Sequence, residues 1–178
     1  MGVTIESLGA AETEREIRAL SALLRDAVDS GASIGFLSPM AKGEAEAYSQ
    51  TVVLALREGS RVLLVARAAE GAMVGSAQLD LATRPNARHR GEVMKAMVHT
   101  KARRQGIGRS LMLAIGAHAR RRGRTTLVLD TRRGDPAERL YADVGWTLAG
   151  VIPKYARSAD GSPDASAVYY KLLEGEPT

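Results

Sequence analysis

Cysteine is absent from this sequence, and histidine and aromatic residues are scarce. Of the 178 residues none is Cys, aromatic side chains make up 4%, and the 3 histidines (His89, His99 and His118) are scattered along the chain. Without thiols the chain has no disulfide scaffold, thiol nucleophile or thiolate metal site. The histidines lack the close spacing of a metal centre, so we expect no metal cofactor.

Long apolar runs and a leader segment are also missing. No uninterrupted apolar run approaches the roughly 18 residues that a membrane helix requires, and the N-terminal residues lack the basic patch and apolar stretch of a secretory signal. Hydrophobic residues make up 45% and charged residues 25% of the chain, which is typical of a globular domain. We expect one domain over residues 1–178, located in the cytoplasm and not bound to a membrane.

Negative charge is absent from one long segment. Residues 93–129 contain no Asp or Glu but nine Lys or Arg residues, so that the net charge of +5 leaves −4 for the remainder of the chain. Such a segment indicates an anionic ligand rather than a generally basic protein. Nucleic acid is the alternative, but the segment has no aromatic residue for base stacking and no helix-turn-helix or zinc pattern. We therefore expect no nucleic-acid partner.

Apolar periodicity and glycine positions predict the order of the secondary structure. Strands are predicted over residues 3–8, 61–67, 74–82, 92–98, 125–131, 146–152 and 166–173. Helices are predicted over residues 12–29, 45–58, 107–122 and 136–144. The last helix has Asp135 as its predicted N-cap, with Pro136 at the first position and Glu138 three residues after the cap. The order β-αα-βββ-α-β-α-ββ predicts a mixed α/β (α+β) fold.

The motif with the clearest chemistry follows the strand over residues 92–98. There Arg103-Arg104-Gln105-Gly106-Ile107-Gly108 opens a predicted helix. Glycines let the backbone approach an anion, the first helical turn offers unpaired N–H groups, and the arginines add charge. A Walker loop needs Gly-Lys-Ser/Thr and a dinucleotide fold needs a third glycine at Leu111, so neither pattern fits. A glycine-rich turn with solvated arginines is the alternative to a phosphate site.

The spacing Arg-x-x-Gly-x-Gly resembles the pyrophosphate loop of the GNAT N-acetyltransferases, which bind acetyl-coenzyme A. The family's element order matches throughout, and its later landmark, Leu140-Tyr141 followed by Gly145-Trp146, is also present. In more detail, GASIGFL, SAQL, RGEVMKAMV and ARRQGIGRSLM look like the tabtoxin-resistance acetyltransferases, a subgroup that inactivates a β-lactam dipeptide-type toxin. The resemblance covers essentially the whole chain.

This resemblance implies a fold and a cofactor site. In the GNAT fold a central, mostly antiparallel sheet flanked by helices splays between strands 4 and 5, and acetyl-coenzyme A lies in the gap. The backbone of Met97 and Val98 would pair with the pantetheine amides like an added strand. The implied cofactor-binding residues are Met97, Val98, Arg103, Arg104, Gln105, Gly106, Ile107, Gly108, Arg109, Ser110 and Asp135.

The resemblance also implies catalytic roles. Tyr141 is the candidate general acid for the departing thiolate, because a phenol of pKa near 10 is protonated at neutral pH; packing in the core is its alternative role. Glu92 and Asp130 flank the expected gap and are the candidates for deprotonating the amine, directly or through water. Their alternatives are a salt bridge to Arg88 or Arg90 for Glu92 and a strand-end hydrogen bond for Asp130. His99 is the fallback base.

The acceptor is expected to be a primary amine of a small molecule. A β-lactam dipeptide-type toxin or a related amino-acid derivative would fit the subgroup, and a protein N-terminus or lysine is the alternative acceptor. Candidate substrate contacts are Phe36, Arg90 and Tyr155, from the segments 31–40, 83–91 and 153–165, and Arg90 or Lys154 would meet a substrate carboxylate. A homodimer and a role in toxin or antibiotic resistance are further expectations of the resemblance.

Overall fold

The computed structural model describes residues 2–173, and the structural statements below concern that part of the chain. The strands are β1 (Thr4–Leu8), β2 (Arg61–Arg67), β3 (Met73–Leu81), β4 (Arg90–Val98), β5 (Thr126–Arg132), β6 (Thr147–Arg157) and β7 (Pro163–Leu172). The helices are α1 (Ala10–Arg15), α2 (Ile17–Asp29), α3 (Glu44–Arg57), α4 (Ile107–Arg121) and α5 (Ala137–Asp143). In residues 2–173 no helix is long and apolar enough to cross a membrane.

The strands form one seven-stranded sheet in the order β1-β2-β3-β4-β5-β7-β6. All neighbours are antiparallel except β4 and β5, which are parallel. These two strands pair only from Arg90 with Thr126 to Glu92 with Val128, and beyond that point they diverge. The predicted mixed α/β fold, with its sheet splayed between strands 4 and 5, is confirmed.

Helices cover the two faces of the sheet unequally. On one face α4 and α5 bury the apolar side chains of β2 to β5 around Leu111, Ile115 and Leu127. On the other face α2 and α3 cover β1 to β3, with Leu20, Leu24 and similarly spaced side chains of α2 turned inward. The apolar clusters under these two helices contain no side chain from β5 or β7, so within residues 2–173 neither α2 nor α3 covers the second face of those strands.

A bulge bends β4 at its centre. The pairing with β3 shifts between Ser76 opposite Met97 and Gln78 opposite Met94, so that β4 carries an additional residue. Lys95, within the bulge, has a left-handed backbone with φ of 50°. Bulges twist a strand and re-aim its side chains, and here the outer half of β4 turns away from β5.

Three boundaries differ from the sequence prediction. The helix predicted over residues 12–29 is interrupted at Glu16, whose carboxylate pairs with Arg67 of β2. The predicted N-cap role of Asp135 is wrong, because the helix begins at Ala137 and the Asp135 carboxylate accepts hydrogen bonds from Arg132 instead. The closing hairpin is longer than predicted, and only residues 158–162 separate β6 from β7.

Candidate active site

A cavity of about 670 Å³ opens where β4 and β5 diverge. Its walls are the end of β4, the loop that follows, the first turn of α4, the start of α5 and the end of α2. The lining residues are Ala27, Ser30, Gly31, Ala32, Ala96, Met97, Val98, Ala102, Arg103, Arg104, Gly106, Ile107, Gly108, Arg109, Arg132, Asp135, Pro136, Ala137 and Leu140. The structure therefore gathers most of the sequence-predicted cofactor residues around one space.

The loop before α4 has the backbone shape of an anion site. Arg104 and Gly106 both have positive φ values, 61° and 78°, and Gly106 is the N-cap of the 15-residue helix α4 without a side-chain cap. Left-handed residues within such a turn direct successive N–H groups into one concavity, and the helix N-terminus adds positive potential there. The loop is thus suited to a pyrophosphate.

Close packing beside this loop depends on Gly108. A Cβ atom at Gly108 would lie 3.1 Å from Leu140 Cδ2 of α5, closer than ordinary van der Waals contact. The glycine therefore allows α5 to approach the first turn of α4 and keeps the backbone of that turn open to the cavity.

The three predicted arginines differ in their partners. Arg103 donates from Nε to the Val98 carbonyl at 3.2 Å and from its terminal nitrogen to Ser30 Oγ at 2.6 Å, which ties β4 to the end of α2. Arg109 donates to the Asp143 carbonyl at 3.4 Å. Arg104 is exposed and, among the described residues, forms no hydrogen bond or ion pair. Arg104 is therefore the arginine most available to an anion.

Three other predicted cofactor residues have limited roles for their side chains. The Ile107 side chain is buried in the core at 3% exposure, so only its backbone faces the loop. Gln105 and Ser110 are exposed and lie outside the cavity wall. The Ser110 N–H already donates to the Gly106 carbonyl at 3.0 Å, as the first bond of the helix.

Arg132, which the sequence interpretation missed, connects the two sides of the gap. Its guanidinium donates to Asp135 Oδ1 at 2.8 Å and to the Gly31 carbonyl at 3.1 Å, and lies 3.9 Å from Asp164. A second cavity, of about 590 Å³, lies on the other side of this arginine between residues 31–38 and the tip of the β6–β7 hairpin. Arg132 thus separates the cofactor cavity from a neighbouring space.

Tyr141 is buried in the core, and the charges of two carboxylates, Asp130 and Asp135, act on its hydroxyl group. Its ring is 7% exposed and packs against Trp146 and Tyr169, with ring centroids 6.3 and 5.9 Å away. Burial, followed by the negative charges of Asp130 and Asp135, raises the pKa of the hydroxyl to about 12. The phenol is therefore protonated at every physiological pH.

Glu92 and Asp130 come together on the uncovered face of the sheet. Glu92 is the last β4 residue paired with β5, and Asp130 lies two residues beyond its partner Val128. Ser166 Oγ donates to Asp130 Oδ2 at 2.7 Å, which orients that carboxylate. Burial, followed by the charges of Asp130 and Asp80, raises the pKa of Glu92. A carboxyl with a raised pKa is a better base for an amine than an ordinary one.

Phe36 belongs to an aromatic and basic group that includes two residues the sequence interpretation missed, Tyr48 and Lys95. Its ring meets that of Tyr48 edge-on at 5.2 Å between centroids. Lys95 Nζ lies 5.6 Å from both ring centroids. Lys95 interrupts the otherwise apolar run over residues 93–98 of β4. This interruption is the sequence signal that could have identified the lysine.

The remaining candidates are more dispersed. Arg90 is exposed on the same face as Glu92. Its positive charge offsets part of the rise in the Glu92 pKa that burial and the neighbouring carboxylates cause. Tyr155 is 53% exposed on the edge strand β6, next to Lys154, which has a φ of 53°. His99 faces α2 instead of the gap: its Nδ1 accepts from the Lys101 N–H and its Nε2 lies 3.7 Å from Asp26. These contacts argue against His99 as the fallback base.

Comparison with known proteins identifies the class to which this fold and site belong. The sequence profile of the acetyltransferase (GNAT) family matches residues 19–146. A relative from Azospirillum brasilense, named an uncharacterised N-acetyltransferase in the hisH–hisA intergenic region, is 32% identical over 172 residues, which cover 92% of this chain and 98% of that protein. The chain therefore belongs to the GNAT acetyltransferase family and is an N-acetyltransferase that uses acetyl-coenzyme A.

Solved structures agree on the fold. A ribosomal-protein-alanine N-acetyltransferase from Brucella melitensis has a TM-score of 0.80 at 25% identity, covering 96% of this chain and 99% of that chain. A phosphinothricin acetyltransferase from Sinorhizobium meliloti, solved with acetyl-coenzyme A, has a TM-score of 0.82 at 20% identity, covering 100% of this chain and 94% of that chain. The predicted tabtoxin-resistance subgroup gains no support from these relatives.

Proposed function

We propose that this enzyme acetylates the primary amine of a small molecule in the space between Glu92 and Asp130. The observation that carries the proposal is the position of these two carboxylates, on the uncovered sheet face at the point where β4 and β5 separate. An ammonium group is attracted by the two carboxylates and approaches the divergence of the strands from the side opposite the cofactor cavity. The chain acts in this proposal as one catalytic domain over residues 1–178.

On the donor side, the loop and the end of β4 hold acetyl-coenzyme A. The N–H groups around Gly106 and Gly108 receive the pyrophosphate, and Arg104 adds its free guanidinium. The backbone of Met97 and Val98 pairs with β3 on one edge, and its other edge, which no β5 residue pairs with, bonds to the pantetheine amides. Asp135 accepts a hydrogen bond from Arg132 and holds that guanidinium at the cavity wall. Asp135 therefore acts on acetyl-coenzyme A through Arg132. Bound acetyl-coenzyme A supplies an activated acetyl thioester.

On the acceptor side, Glu92 removes the proton from the ammonium group. Its raised pKa makes Glu92 a better base than an ordinary glutamate, while Ser166 holds the Asp130 carboxylate in position to orient the amine.

Tyr141 acts on the departing sulfur as a hydrogen-bond donor. An ordinary thiol has a pKa of about 8.5. With a hydroxyl pKa of about 12, complete proton transfer to a free thiolate would be unfavourable by about 5 kcal/mol. A charge-assisted hydrogen bond from Tyr141 stabilises the developing thiolate without that cost.

The second cavity, beside Arg132, has the size of a small-molecule site, although neither Glu92 nor Asp130 lines it. The neighbouring cavity of about 590 Å³ is bounded by residues 31–38 and by the β6–β7 hairpin, with Phe36 at its edge. Small-molecule sites typically have volumes of about 300–1,000 Å³. A β-lactam dipeptide-type toxin or a related amino-acid derivative fits such a space, and toxin resistance in the cytoplasm would then be the biological role. Formation of a homodimer remains a prediction that rests on the family resemblance.

Acetylation of a protein N-terminus is the second candidate. It is favoured by the likeness to the ribosomal-protein-alanine N-acetyltransferase from Brucella melitensis. A thiol-release assay with acetyl-coenzyme A and a panel of acceptors distinguishes the two. We expect turnover of free amino acids, amines or β-lactam dipeptides; turnover restricted to longer peptides and intact proteins would contradict the small-molecule proposal.

A further inference from the structure

Lys95 has an unusual backbone for a residue in the middle of a strand. Its φ of 50° lies in the left-handed region, at the β4 bulge that separates Glu92 from Met97. A residue with a Cβ in this conformation costs roughly 1–2 kcal/mol, which a glycine would avoid. Strained positions of this kind cluster at functional sites, and the strain here directs a lysine toward the face that carries Glu92.

The Lys95 ammonium is held between two aromatic rings. Phe36 and Tyr48 each have their ring centroid 5.6 Å from Nζ, within the range of a cation–π contact. The Tyr48 ring is fixed in turn, because its hydroxyl donates to Gln78 Oε1 at 3.0 Å. Gly35, with a φ of 85°, brings the Phe36 segment so close that a Cβ at Gly35 would lie 3.4 Å from Nζ. The position of the charge is thus well defined.

No carboxylate pairs with this ammonium group among residues 2–173, within 4.0 Å, and it donates no hydrogen bond there. Arg61, the nearest comparable cation, is paired with Asp80 at 2.9 Å. Burial, followed by the charge of Arg61, lowers the pKa of Lys95, while the charges of Asp130 and Glu92 act in the opposite direction. An anionic ligand that meets this partly buried ammonium group would receive up to three N–H donors from it.

We infer that Lys95 binds a carboxylate of the acceptor, so that the preferred acceptors are amino acids or short peptides with a carboxylate near the reacting amine. This inference rests on the proposed function, because it uses the same space between Glu92 and Asp130. The acceptor's ammonium group lies at the two carboxylates, and its own carboxylate lies at Lys95 on the same face. A site that offers two carboxylates to the acceptor's ammonium group and Lys95 to its carboxylate selects a zwitterion over an amine that has no carboxylate.

The test compares acceptors that differ only in the carboxylate. The probes are L-methionine, L-phenylalanine, L-glutamate and a glycyl dipeptide, each paired with its carboxamide, and the readout is kcat/KM for coenzyme A release. The variants are Lys95→Met and Lys95→Arg, with Lys42→Met as the matched control, since Lys42 is exposed on the segment between α2 and α3. The ratio of wild type to variant for each acceptor cancels differences in amine basicity.

We expect Lys95→Met to lower kcat/KM for the acids by at least about 10-fold, mainly through KM, as for the loss of one charged hydrogen bond. The carboxamides should change little, Lys95→Arg should restore part of the preference for acids, and Lys42→Met should behave as wild type. An equal loss on acids and carboxamides, with reduced thermal stability, would overturn the inference, because Lys95 would then only brace the Phe36 segment. A wild type that acetylates amides as well as acids would overturn it while leaving the proposed function intact.

Two further outcomes are separable. If acetyl-coenzyme A binds but no member of the panel is acetylated, the proposed small-molecule function itself fails. If mass spectrometry finds Lys95 acetylated during turnover, the lysine is an acceptor and the inference is overturned.

Discussion

Replacing Tyr141 with Phe isolates the contribution of one hydroxyl group. The ring is buried against Trp146 and Tyr169, and these contacts persist in the variant. The hydroxyl forms no hydrogen bond with any other described residue, so its removal leaves no partner unsatisfied. We therefore expect a melting temperature within about 2 °C of wild type, which corresponds to less than about 1 kcal/mol for a chain of this size.

The expected effect on catalysis is much larger. A hydrogen bond to a charged group contributes about 1.5–3 kcal/mol, which is about a 10- to 150-fold change in rate at 1.36 kcal/mol per factor of ten. If Tyr141 donates to the developing thiolate, Tyr141→Phe lowers kcat by this factor and leaves the affinity for acetyl-coenzyme A unchanged. Because the pKa of Tyr141 is about 12, ionisation of its hydroxyl should produce no decline in wild-type activity below about pH 10.

Tyr169→Phe is the matched control for this experiment. Its hydroxyl donates to Glu138 Oε2 at 2.6 Å on the other side of the same aromatic group. We expect this variant to lose about 1 kcal/mol of stability and to retain kcat. Coenzyme A release at saturating acceptor, calorimetry of acetyl-coenzyme A binding and thermal melts are measured on both variants. An unchanged kcat in Tyr141→Phe, or a loss of kcat that merely follows a loss of stability, would refute the reasoning.

Four further predictions concern the two sides of the site. Gly108→Val should weaken acetyl-coenzyme A binding more than Arg104→Gln, which should cost about 1–3 kcal/mol in calorimetry, because a Cβ at Gly108 also meets Leu140 at 3.1 Å; equal affinity in both variants and wild type would contradict the placement of the loop. Glu92→Gln and Asp130→Asn should each lower kcat/KM, and the double variant should lose less than the product of the single losses. The raised pKa of Glu92 places the acidic limb of kcat/KM above the ordinary glutamate value of about 4.3, and Glu92→Gln should abolish that limb. Because ionisation of a group with a raised native pKa reduces stability as the pH rises through that pKa, Glu92→Gln should also raise the melting temperature at pH 8 and lose this advantage in acid.

The general architecture was predictable because burial and local conformation agree along most of the chain. The apolar run over residues 61–67 became β2 with the predicted bounds, since every central residue is buried. Glycines with positive φ end or precede elements where the sequence predicted a boundary, as at Gly59 and Gly145. The turn before α4 was predictable for the same reason, because its glycines have local conformational consequences, and its role as a phosphate loop stays a prediction.

Features that depend on distant partners were not predictable. The helix predicted over residues 12–29 is interrupted at Glu16, whose carboxylate pairs with Arg67 on a strand far along the chain. Asp135 has the right spacing for an N-cap, but Arg132 binds its carboxylate and the helix begins later. His99 was a plausible base until the fold turned it toward Asp26 of α2 and outside the lining of the cavity.

The residues of the candidate site also divide into those that the sequence could identify and those that it could not. Tyr141, Glu92 and Asp130 could be named because they occupy family positions, and the structure brings the two carboxylates to one face. Lys95 and Arg132 escaped notice, since the β4 bulge and the contact with Gly31 arise only when α2, β4 and β5 meet. Residues that shape the acceptor space therefore depend on tertiary structure more than those that bind the cofactor.

The central claim is that Glu92 and Asp130 present a small-molecule amine to the acetyl group held between β4 and β5. The most direct test is to quantify, for the best small acceptor, the coenzyme A released and the N-acetylated product formed, in wild type and in the Glu92→Gln/Asp130→Asn double variant. The account predicts equal amounts of both products in wild type and at least about a 100-fold slower formation of both in the double variant, the low end for general acid–base catalysis. Coenzyme A release without N-acetylated product, or an undiminished rate in the double variant, would contradict it.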